Sequence, residues 1–317
     1  MSNPELFAGI DISERRLETA LTRDGLHCAE EITHRYDPAG VAELISVLAD
    51  KRVGLVVVEP SGGLERDIVS ALVSAAIPVV VINGRRVRNF ARSMGLLAKT
   101  DKIDARVLAA FGERVRPAVR AIPGEDVQEL DALTSRRRQI LEMIGMERSR
   151  LDRAKQNVAP SIRAHIDYLQ GQQKRVEAEI QQRIEASPAW QTANELLMSI
   201  PAVGPILSAT ILGELPEIGS VPAEVITRLV GVAPINCDTG EHRGKRRIQG
   251  GRVAVRNVLF MATTCGIRWN PVLRDCYERL RRNGKPHKVA MVACMRKLLV
   301  IMNAVLRDGQ PWQLAPV

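Results

Sequence analysis

The sequence predicts an α/β domain at its N-terminal end, followed by a longer region that is mainly α-helical. Residues 5–34 contain three short segments with strand character. Apolar runs at 54–59 and 77–83 then alternate with segments of helical periodicity. Beyond residue 126 the apolar residues recur at steps of three and four, which is typical of helices.

The strands and helices of the first domain follow in chain order. LFAGID, LETALT and HCAEEIT are expected to form three strands, with a turn at Asp24 and Gly25 between the second and the third. GLVVVE and IPVVVIN are continuous β-branched runs, as buried parallel strands require. Helices are expected at 39–50, 61–76, 84–94 and 101–115. Three strands followed by alternating helices and strands is the element order of the ribonuclease-H-like fold.

The pattern breaks around residues 116–125, where two prolines and a glycine interrupt it. The following residues, up to 186, are polar and helical with a narrow apolar stripe, and Pro160 interrupts them. They are expected to form an antiparallel helical hairpin, or coiled coil, that packs on a partner protomer. Three domains are therefore predicted, at 1–120, 121–188 and 189–317.

The excess of basic residues indicates a polyanionic partner. The 45 Lys and Arg exceed the 36 Asp and Glu, which gives a formal net charge of +9 and a pI of about 9.7. Nucleic acid is the commonest such partner, although a generic basic protein would have the same composition. Aromatic residues make up only 3%, so base stacking is not expected to dominate binding.

Cysteine usage and hydropathy indicate the compartment. The five cysteines are Cys28, Cys237, Cys265, Cys276 and Cys294. Their odd number and the lack of a CxxC pair argue against a disulfide framework and a cysteine zinc site, and favour a reducing cytoplasm. The N-terminus lacks the features of a signal peptide. No stretch is expected to span a membrane, which takes roughly 18 apolar residues.

Four acidic residues stand where a metal site would need them. Asp11 ends the first strand, and Glu59 ends the fourth. Asp101 and Asp104 share one face at the start of a helix. Taken singly, each is explained as a turn residue, a helix cap or a first-turn acid. Taken together, they match the oxygen ligands of two Mg²⁺ ions and predict a magnesium-dependent site that processes nucleic acid.

Two segments of the helical region carry further motifs. SIPAVGPILSATILGEL resembles a helix-hairpin-helix, in which backbone N–H groups meet a phosphate, but Ala202 replaces the usual first glycine. The alternative is an ordinary tight turn at Gly204 and Pro205. Residues 229–262 contain a glycine-rich basic loop that suits a phosphate backbone, with a solvated surface as the alternative. The basic residues of this loop are Arg243, Lys245, Arg246, Arg247, Arg252 and Arg256.

These motifs resemble those of the DEDD transposases of bacterial insertion sequences. GIDIS, VVVEPSG and KTDKIDARVLA match the segments that carry that family's four acids, and residues 229–262 match its C-terminal transposase domain. The family includes pilin-gene invertases and recombinases guided by a bridge RNA. The resemblance implies a RuvC-like domain that binds Mg²⁺, with Mn²⁺ as the alternative ion. It also implies target and donor DNA, a bridge RNA, and a homodimer that assembles into a homotetramer in the bacterial cytoplasm, at the nucleoid.

The resemblance further implies a covalent nucleophile. The family uses a serine before a glycine, and in Asp238-Thr239-Gly240 the threonine stands in its place. Threonine keeps the hydroxyl needed for phosphoryl transfer, although its methyl group crowds the approach. Ser208 and Ser220 are the alternative hydroxyls, and a purely structural turn is a further alternative. The predicted catalytic residues are therefore Asp11, Glu59, Asp101, Asp104 and Thr239.

The expected activity is DNA transposition or site-specific recombination through a covalent protein–DNA intermediate. One rival is a junction-resolving nuclease or DNA invertase that uses the four acids without a guide RNA. Another is a non-catalytic nucleic-acid-binding remnant of a transposase. The predicted nucleic-acid contacts are the six basic residues of the loop together with Arg85, Arg86, Arg88 and Arg92.

Overall fold

The computed structural model describes residues 5–119, 124–240 and 242–313. The chain divides into two compact units, Met1–Ile122 and Pro123–Val317, which we call the N-terminal unit and the helical unit. The domain boundary predicted between residues 120 and 121 lies outside the described residues, as does the side chain of Cys28. The segment predicted as a helical hairpin belongs to the helical unit.

A five-stranded sheet forms the centre of the N-terminal unit. Its strands are β1 (Leu6–Ile12), β2 (Arg16–Asp24), β3 (His27–Arg35), β4 (Val53–Val58) and β5 (Val79–Val81). Their spatial order is β3-β2-β1-β4-β5. Strand β2 is antiparallel to β1 and β3, whereas β4 runs parallel to β1 and β5. This order and these directions define a ribonuclease-H-like (RuvC-like) α/β fold, so the predicted fold class is confirmed.

Helices cover both faces of this sheet. They are α1 (Pro38–Asp50), α2 (Glu65–Ser74), α3 (Gly84–Ser93) and α4 (Asp101–Val115). Because side chains alternate along a strand, Ala8 and Ile10 pack with α1 and α2, whereas Phe7 packs with α3 and α4. Gly9 and Asp11 share the face of Phe7, so β1 presents its carboxylate on the side that carries α4.

Helix α4 packs directly on β1 at Gly9. A Cβ atom at this position would lie 2.2 Å from the Ala105 carbonyl oxygen and 2.3 Å from the Ala109 nitrogen. Only glycine allows backbones to approach this closely. Ala105 lies one turn into α4, so this contact places the start of α4 beside the end of β1, where Asp11 lies.

The second helix begins later than the sequence pattern predicts. Residues 61–76 were expected to be helical, but α2 starts at Glu65. Gly62 and Gly63 have φ angles of +70° and +106°, which a right-handed helix does not allow. The Glu65 carboxylate instead accepts hydrogen bonds from the backbone N–H groups of Ser61 and Gly63, at 2.8 and 3.0 Å. These bonds stabilise a turn directly after Glu59.

The helical unit opens with a long antiparallel pair, α5 (Glu125–Leu151) and α6 (Ala159–Ala186). The pair is joined along its length by Glu129–Arg183, Arg137–Glu177 and Glu147–His165. The apolar stripe between them is continuous with the core of the following helices, and Leu130 packs against Gly213. The same chain therefore covers part of the stripe that was expected to need a partner protomer.

The remaining elements complete a mainly α-helical unit. They are α7 (Pro188–Met198), α8 (Pro205–Glu214), α9 (Ala223–Val230), β6 (Asp238–Thr239), β7 (His242–Arg243), α10 (Val253–Trp269), α11 (Pro271–Arg282) and α12 (His287–Asp308). Two buried asparagines connect these elements through hydrogen bonds. Asn270 donates to the Pro201 carbonyl oxygen at 2.9 Å, and Asn303 accepts from the Gly219 N–H at 2.8 Å. These amides link the last three helices to the loops around α8.

The expectation that no stretch is apolar enough to span a membrane is wrong for α12. It contains an 18-residue window with a mean hydropathy of 1.9, so it is long and apolar enough to cross a membrane by length and composition. Half of that window is buried inside the protein. Its Met295, Leu298 and Met302 are fully enclosed in the core of the helical unit. The apolar composition of α12 is therefore explained by core packing.

Candidate active site

The four predicted acids come from three elements of the N-terminal unit. Asp11 is the last residue but one of β1, and Glu59 directly follows β4. Because β1 and β4 are parallel neighbours, their carboxyl ends lie at the same edge of the sheet. Asp101 and Asp104 lie in the first turn of α4, whose start is capped by the Thr100 side chain.

The carboxylates of this site act on one another. Burial, reinforced by Asp101, Asp104 and Glu59, raises the pKa of Asp11 to about 6. The pKa of Glu59 is also raised, first by burial and then by Asp104. Burial likewise raises the pKa of Asp104, although Lys99 and Arg88 oppose the rise. The acids therefore repel one another at a half-buried edge of the sheet. A bound cation would reduce this repulsion.

This donor set fits Mg²⁺ as an open site. Within the described residues, no three acidic, histidine or cysteine side chains are close enough to form a complete metal cage. Mg²⁺ does not require such a cage, because it is usually held by one or two carboxylates, water and substrate phosphates. In this structure the ammonium group of Lys99 lies 3.8 Å from Asp104 Oδ2 and partly offsets the negative charge.

Glu59 is held against the start of α3. A Cβ atom at Gly84 would lie 1.8 Å from Glu59 Oε1, so the carboxylate occupies the space that any larger residue would need. The adjacent Asn83 caps α3 by accepting a hydrogen bond from the Arg85 N–H at 2.9 Å. The helix N-terminus and the missing side chain together position Glu59 at the edge of the sheet.

A cleft of about 480 Å³, which we call the α3 cleft, extends from Glu59 and Asp104 along α3. Arg85, Arg88 and Arg92 line it, together with Glu59 and Asp104. Basic side chains beside a group of acids suit a substrate phosphate. The basic residue that the sequence predictions missed is Lys99, which also lines this cleft. Its position two residues before Asp101 is the only sequence feature that could have suggested it.

Two of the predicted arginine contacts also have structural roles. Arg88 donates hydrogen bonds to the carbonyl oxygens of Leu97 and Ala98, at 2.6 and 3.2 Å, and so braces the loop that leads into α4. Arg86 lies over the ring of Phe111, 5.7 Å from its centroid. Arg86 is absent from the residues that line the cleft, whereas Arg88 both supports the site and faces it.

Thr239 lies at the tip of the β6–β7 hairpin in the helical unit. It pairs with His242, and Gly240 follows with a φ of +55°. Thr239 is exposed, and its hydroxyl makes no hydrogen bond within the described parts of the chain. An exposed hydroxyl on a tight turn suits a nucleophile that must reach a phosphate.

The two alternative hydroxyls are less accessible. Ser208 is fully buried in α8 and donates to Asn194 Oδ1 at 2.6 Å. Ser220 is exposed but donates to the Glu217 carbonyl oxygen at 2.7 Å. Among these three residues, Thr239 is the one whose hydroxyl is both exposed and without a protein partner in the described structure.

Some basic residues of the loop form contacts within the protein, and others are exposed to solvent. Arg252 forms a bidentate ion pair with Glu217 at 2.5 and 2.7 Å. Arg256 donates to the Val230 carbonyl oxygen at 3.2 Å and to the Gly250 carbonyl oxygen. These two arginines hold the loop on the helices. Lys245, Arg246 and Arg247 are exposed, and the side chain of Arg243 lies outside the described structure.

The hairpin between α7 and α8 contains a strained residue. Ala202 has a φ of +91°, in a region that favours glycine, and it occupies the position of the usual first glycine of the motif. We expect Ala202→Gly to raise the free energy of unfolding of the helical unit by about 1 kcal/mol, because it relieves backbone strain. Urea unfolding followed by tryptophan fluorescence measures this, since Trp190, Trp269 and Trp312 all lie in this unit.

The matched control for this prediction is Ala164→Gly, at an exposed position within α6. The same chemical change there should lower stability by about 1 kcal/mol, because glycine is a poor helix former. A loss of stability in both variants would show that Ala202 is not strained.

Comparison with known proteins identifies the family. A family model described as a transposase matches residues 8–160, and a second, described as a transposase of the IS116/IS110/IS902 family, matches residues 194–278. The chain belongs to this transposase family. This family assignment makes the protein a transposase or recombinase, and the matched residues include all four acids and Thr239. Transposases of this kind generally depend on divalent metal ions.

Individual relatives agree with this assignment. The transposase is 26% identical over 260 residues to the pilin gene-inverting proteins of Moraxella lacunata and Moraxella bovis, with 81% of each chain covered. It is 28% identical over 154 residues to an uncharacterized 43.6 kDa protein of insertion element IS110 from Streptomyces coelicolor. That match covers 48% of the transposase and 37% of the relative.

Solved structures of RuvC from Thermus thermophilus are also similar to part of the transposase. One matches with a TM-score of 0.30 and 18% identity, and it covers 36% of the transposase and 98% of RuvC. A second, RuvC in complex with a Holliday junction substrate, matches with a TM-score of 0.27 and 18% identity. It covers 35% of the transposase and 96% of RuvC.

Proposed function

We propose that this transposase is a Mg²⁺-dependent site-specific recombinase that cleaves and exchanges DNA strands through a covalent bond to Thr239. The observation that supports it most is the set of four mutually repelling carboxylates at one edge of the sheet. Asp11, Glu59, Asp101 and Asp104 would hold Mg²⁺, or alternatively Mn²⁺. The bound ions would polarise the scissile phosphate and stabilise the leaving oxygen.

The chemistry assigned to Thr239 is a pair of phosphoryl transfers. The Oγ1 atom attacks the scissile phosphorus and loses its proton, and an Oγ1–P bond forms as the P–O3′ bond breaks. The released 3′ oxygen takes up a proton. In the second transfer, the 3′-hydroxyl of another strand attacks the same phosphorus, and Thr239 recovers its hydroxyl. The arginines of the α3 cleft would position the DNA backbone beside the acids.

We further propose that the protein uses a guide RNA and acts as an assembly of several protomers. The net charge of +9 suits a polyanionic partner, and a structured bridge RNA is the guide we propose. Thr239 and the four acids belong to different units of the chain. We therefore propose that a homodimer assembling into a homotetramer forms composite sites, with Thr239 from one protomer serving the acids of another.

The covalent step is tested by trapping a protein–DNA adduct. Purified protein, its co-purifying RNA and labelled DNA are incubated with Mg²⁺ and separated under denaturing conditions. We expect an adduct with the wild type and with Thr239→Ser, and none with Thr239→Ala or the shape-matched Thr239→Val, because only serine keeps the hydroxyl. An adduct that persists in the alanine and valine variants would exclude Thr239 as the nucleophile.

The same assay separates the rival functions. Metal-dependent cleavage without any adduct would favour a junction-resolving nuclease. Binding without cleavage in any metal would favour a non-catalytic remnant. Sequencing the nucleic acid that co-purifies with the protein tests the guide: a discrete RNA encoded beside the gene supports it. Random fragments would instead favour a DNA invertase that acts without RNA. Inversion is the activity that the name of the similar pilin gene-inverting proteins describes.

A further inference from the structure

Helices α11 and α12 border a second cleft in the helical unit, which is open to solvent and has a volume of about 400 Å³. We call it the α11–α12 cleft. The residues that line it are Asp275, Cys276, Arg279, Arg282, Asn283 and Lys297. None of them lies in the basic loop or in the α3 cleft. Three are cationic and one is acidic, so the lining carries a net positive charge.

The protein itself does not neutralise these cations. Arg279, Arg282 and Lys297 are exposed, and their side chains form no ion pair or hydrogen bond within the described parts of the chain. By contrast, the bracing arginine Arg252 is paired with Glu217. Unpaired cations around a concave surface repel one another, and a bound anion would relieve this repulsion.

Two of the cations lie close together, because Arg279 and Lys297 line the same cleft. Burial raises the pKa of Cys294, and Lys297 and Arg279 both oppose that rise. Lys297 lies on α12 and Arg279 on α11, so both cations act on the same buried atom from different helices. Their proximity therefore results from helix packing and not from sequence neighbourhood.

The helix dipole explains only part of this arrangement. Basic residues in the last turn of a helix are favourable, and Arg279 and Arg282 lie in the last turn of α11. Lys297 lies in the middle of α12, where the dipole of that helix offers no such benefit. A shared anionic ligand accounts for all three cations, whereas the dipole accounts for two.

The surrounding surface favours a polyanion over a small anion. Residues 271–297 contain eight Lys and Arg against two acids, Asp275 and Glu278. The cations are Arg274, Arg279, Arg281, Arg282, Lys285, Lys288, Arg296 and Lys297. The positive charge therefore continues along both helices beyond the cleft, as a ligand with regularly spaced phosphates requires.

We propose that the α11–α12 cleft is a nucleic-acid-binding site of the helical unit, which holds the phosphodiester backbone of a strand through residues other than the four acids. The inference rests on the proposed function, since it assumes that the transposase holds a nucleic acid through more than its active site. Duplex DNA and folded RNA present the same phosphate chemistry to the cleft, so separate binding measurements distinguish between them.

The test compares two triple variants with the same change in net charge. Arg279→Gln, Arg282→Gln and Lys297→Gln together remove the cations of the cleft. Arg23→Gln, Arg52→Gln and Arg228→Gln, at exposed positions on other elements, form the control. Binding to a labelled DNA duplex and to a folded RNA transcript is measured at several salt concentrations in EDTA, so that no strand is cleaved.

We expect the cleft variant to bind at least one of the two nucleic acids about tenfold or more weakly, with a salt slope lower by about 2 to 3. The control should change both quantities far less. Loss for DNA only, for RNA only or for both identifies the ligand and supports the proposal. Equal behaviour of the cleft variant and the control with both nucleic acids would overturn it.

A second variant guards against misfolding of the first. Asn283→Asp adds one negative charge to the exposed lining without touching the core, and it should also weaken binding. Tryptophan fluorescence in urea confirms that the helical unit is folded. Because these measurements need neither metal nor a covalent step, they remain interpretable even if the Thr239 adduct is never found.

Discussion

Asp11→Asn is expected to abolish strand cleavage and, at neutral pH without metal, to stabilise the N-terminal unit. Asparagine keeps the size and the strand position of Asp11 but removes the charge that Glu59, Asp101 and Asp104 repel. The loss of cleavage should exceed about 100-fold, since even outer partners of metal ligands are commonly worth 10- to 100-fold. The gain in stability should be about 1 to 2 kcal/mol, after allowance for solvent screening of a half-buried group.

The stability effect has a defined pH window. The pKa of Asp11 is about 6 in the folded protein, above its ordinary value of 3.8, so the folded state binds the proton more tightly. Wild-type stability therefore falls as the pH rises from about 4 to about 6 and stays low above that. The advantage of Asp11→Asn should be full at pH 7.5 and should vanish near pH 4.

Hydrogen exchange of β1 and β4 is the suitable measurement, because the tryptophans all lie in the helical unit. Added Mg²⁺ should protect these strands in the wild type and have little effect in the variant. The control is Asp50→Asn, because Asp50 is exposed and precedes β4, about 20 Å from the opposite edge where Glu59 lies. The Asp50→Asn variant should cleave DNA strands as the wild type does. Normal cleavage by Asp11→Asn would contradict the assignment of the metal site.

Gly9→Ala is expected to destabilise the N-terminal unit by about 3 kcal/mol or more and to disrupt the active site. The added Cβ atom would meet backbone atoms of Ala105 and Ala109, which cannot rotate away as a side chain would. Overpacking of a core commonly costs about 1 to 3 kcal/mol, and contact with helix backbone lies at the upper end. Displacement of α4 would also carry Asp101 and Asp104 away from Asp11.

The control for this prediction is Gly54→Ala, in β4 of the same sheet. Its added Cβ atom would meet the side chain of Glu5, which is exposed and can rotate, at most at the cost of a surface ion pair with Arg116. We expect a change within about 1 kcal/mol and normal cleavage. Hydrogen exchange of the central strands, together with the cleavage assay, measures both variants. Equal tolerance of alanine at both positions would show that the approach of α4 to β1 is not close.

The acids of the N-terminal unit could be predicted because local patterns place them. An apolar run that ends in an acid identifies a buried strand with a polar residue at its carboxyl end, as for Asp11 and Glu59. A threonine followed by two acids three residues apart identifies a helix start, as for Asp101 and Asp104. Parallel pairing of β1 and β4 then brings Asp11 and Glu59 to one edge.

Other parts of the molecule were decided by contacts between residues far apart in the sequence. Charge and glycine content put Arg252 and Lys245 in one basic loop, but only the packing of Glu217 shows that Arg252 is paired and Lys245 is exposed. In the same way, the apolar composition of α12 suits both a core helix and a membrane span. The burial of its side chains shows that it is a core helix.

The sequence by itself therefore determined the order of elements, the ribonuclease-H-like fold and the four acids, because these depend on periodicity and on residues next to one another. Only the tertiary structure decided that α4 packs closely on Gly9, that Lys99 lies beside Asp104, and that α11 and α12 bring Arg279 and Lys297 to one cleft. The physical reason is the same in each case. Close packing and electrostatic interaction depend on distance in space, which a pattern along the chain does not encode.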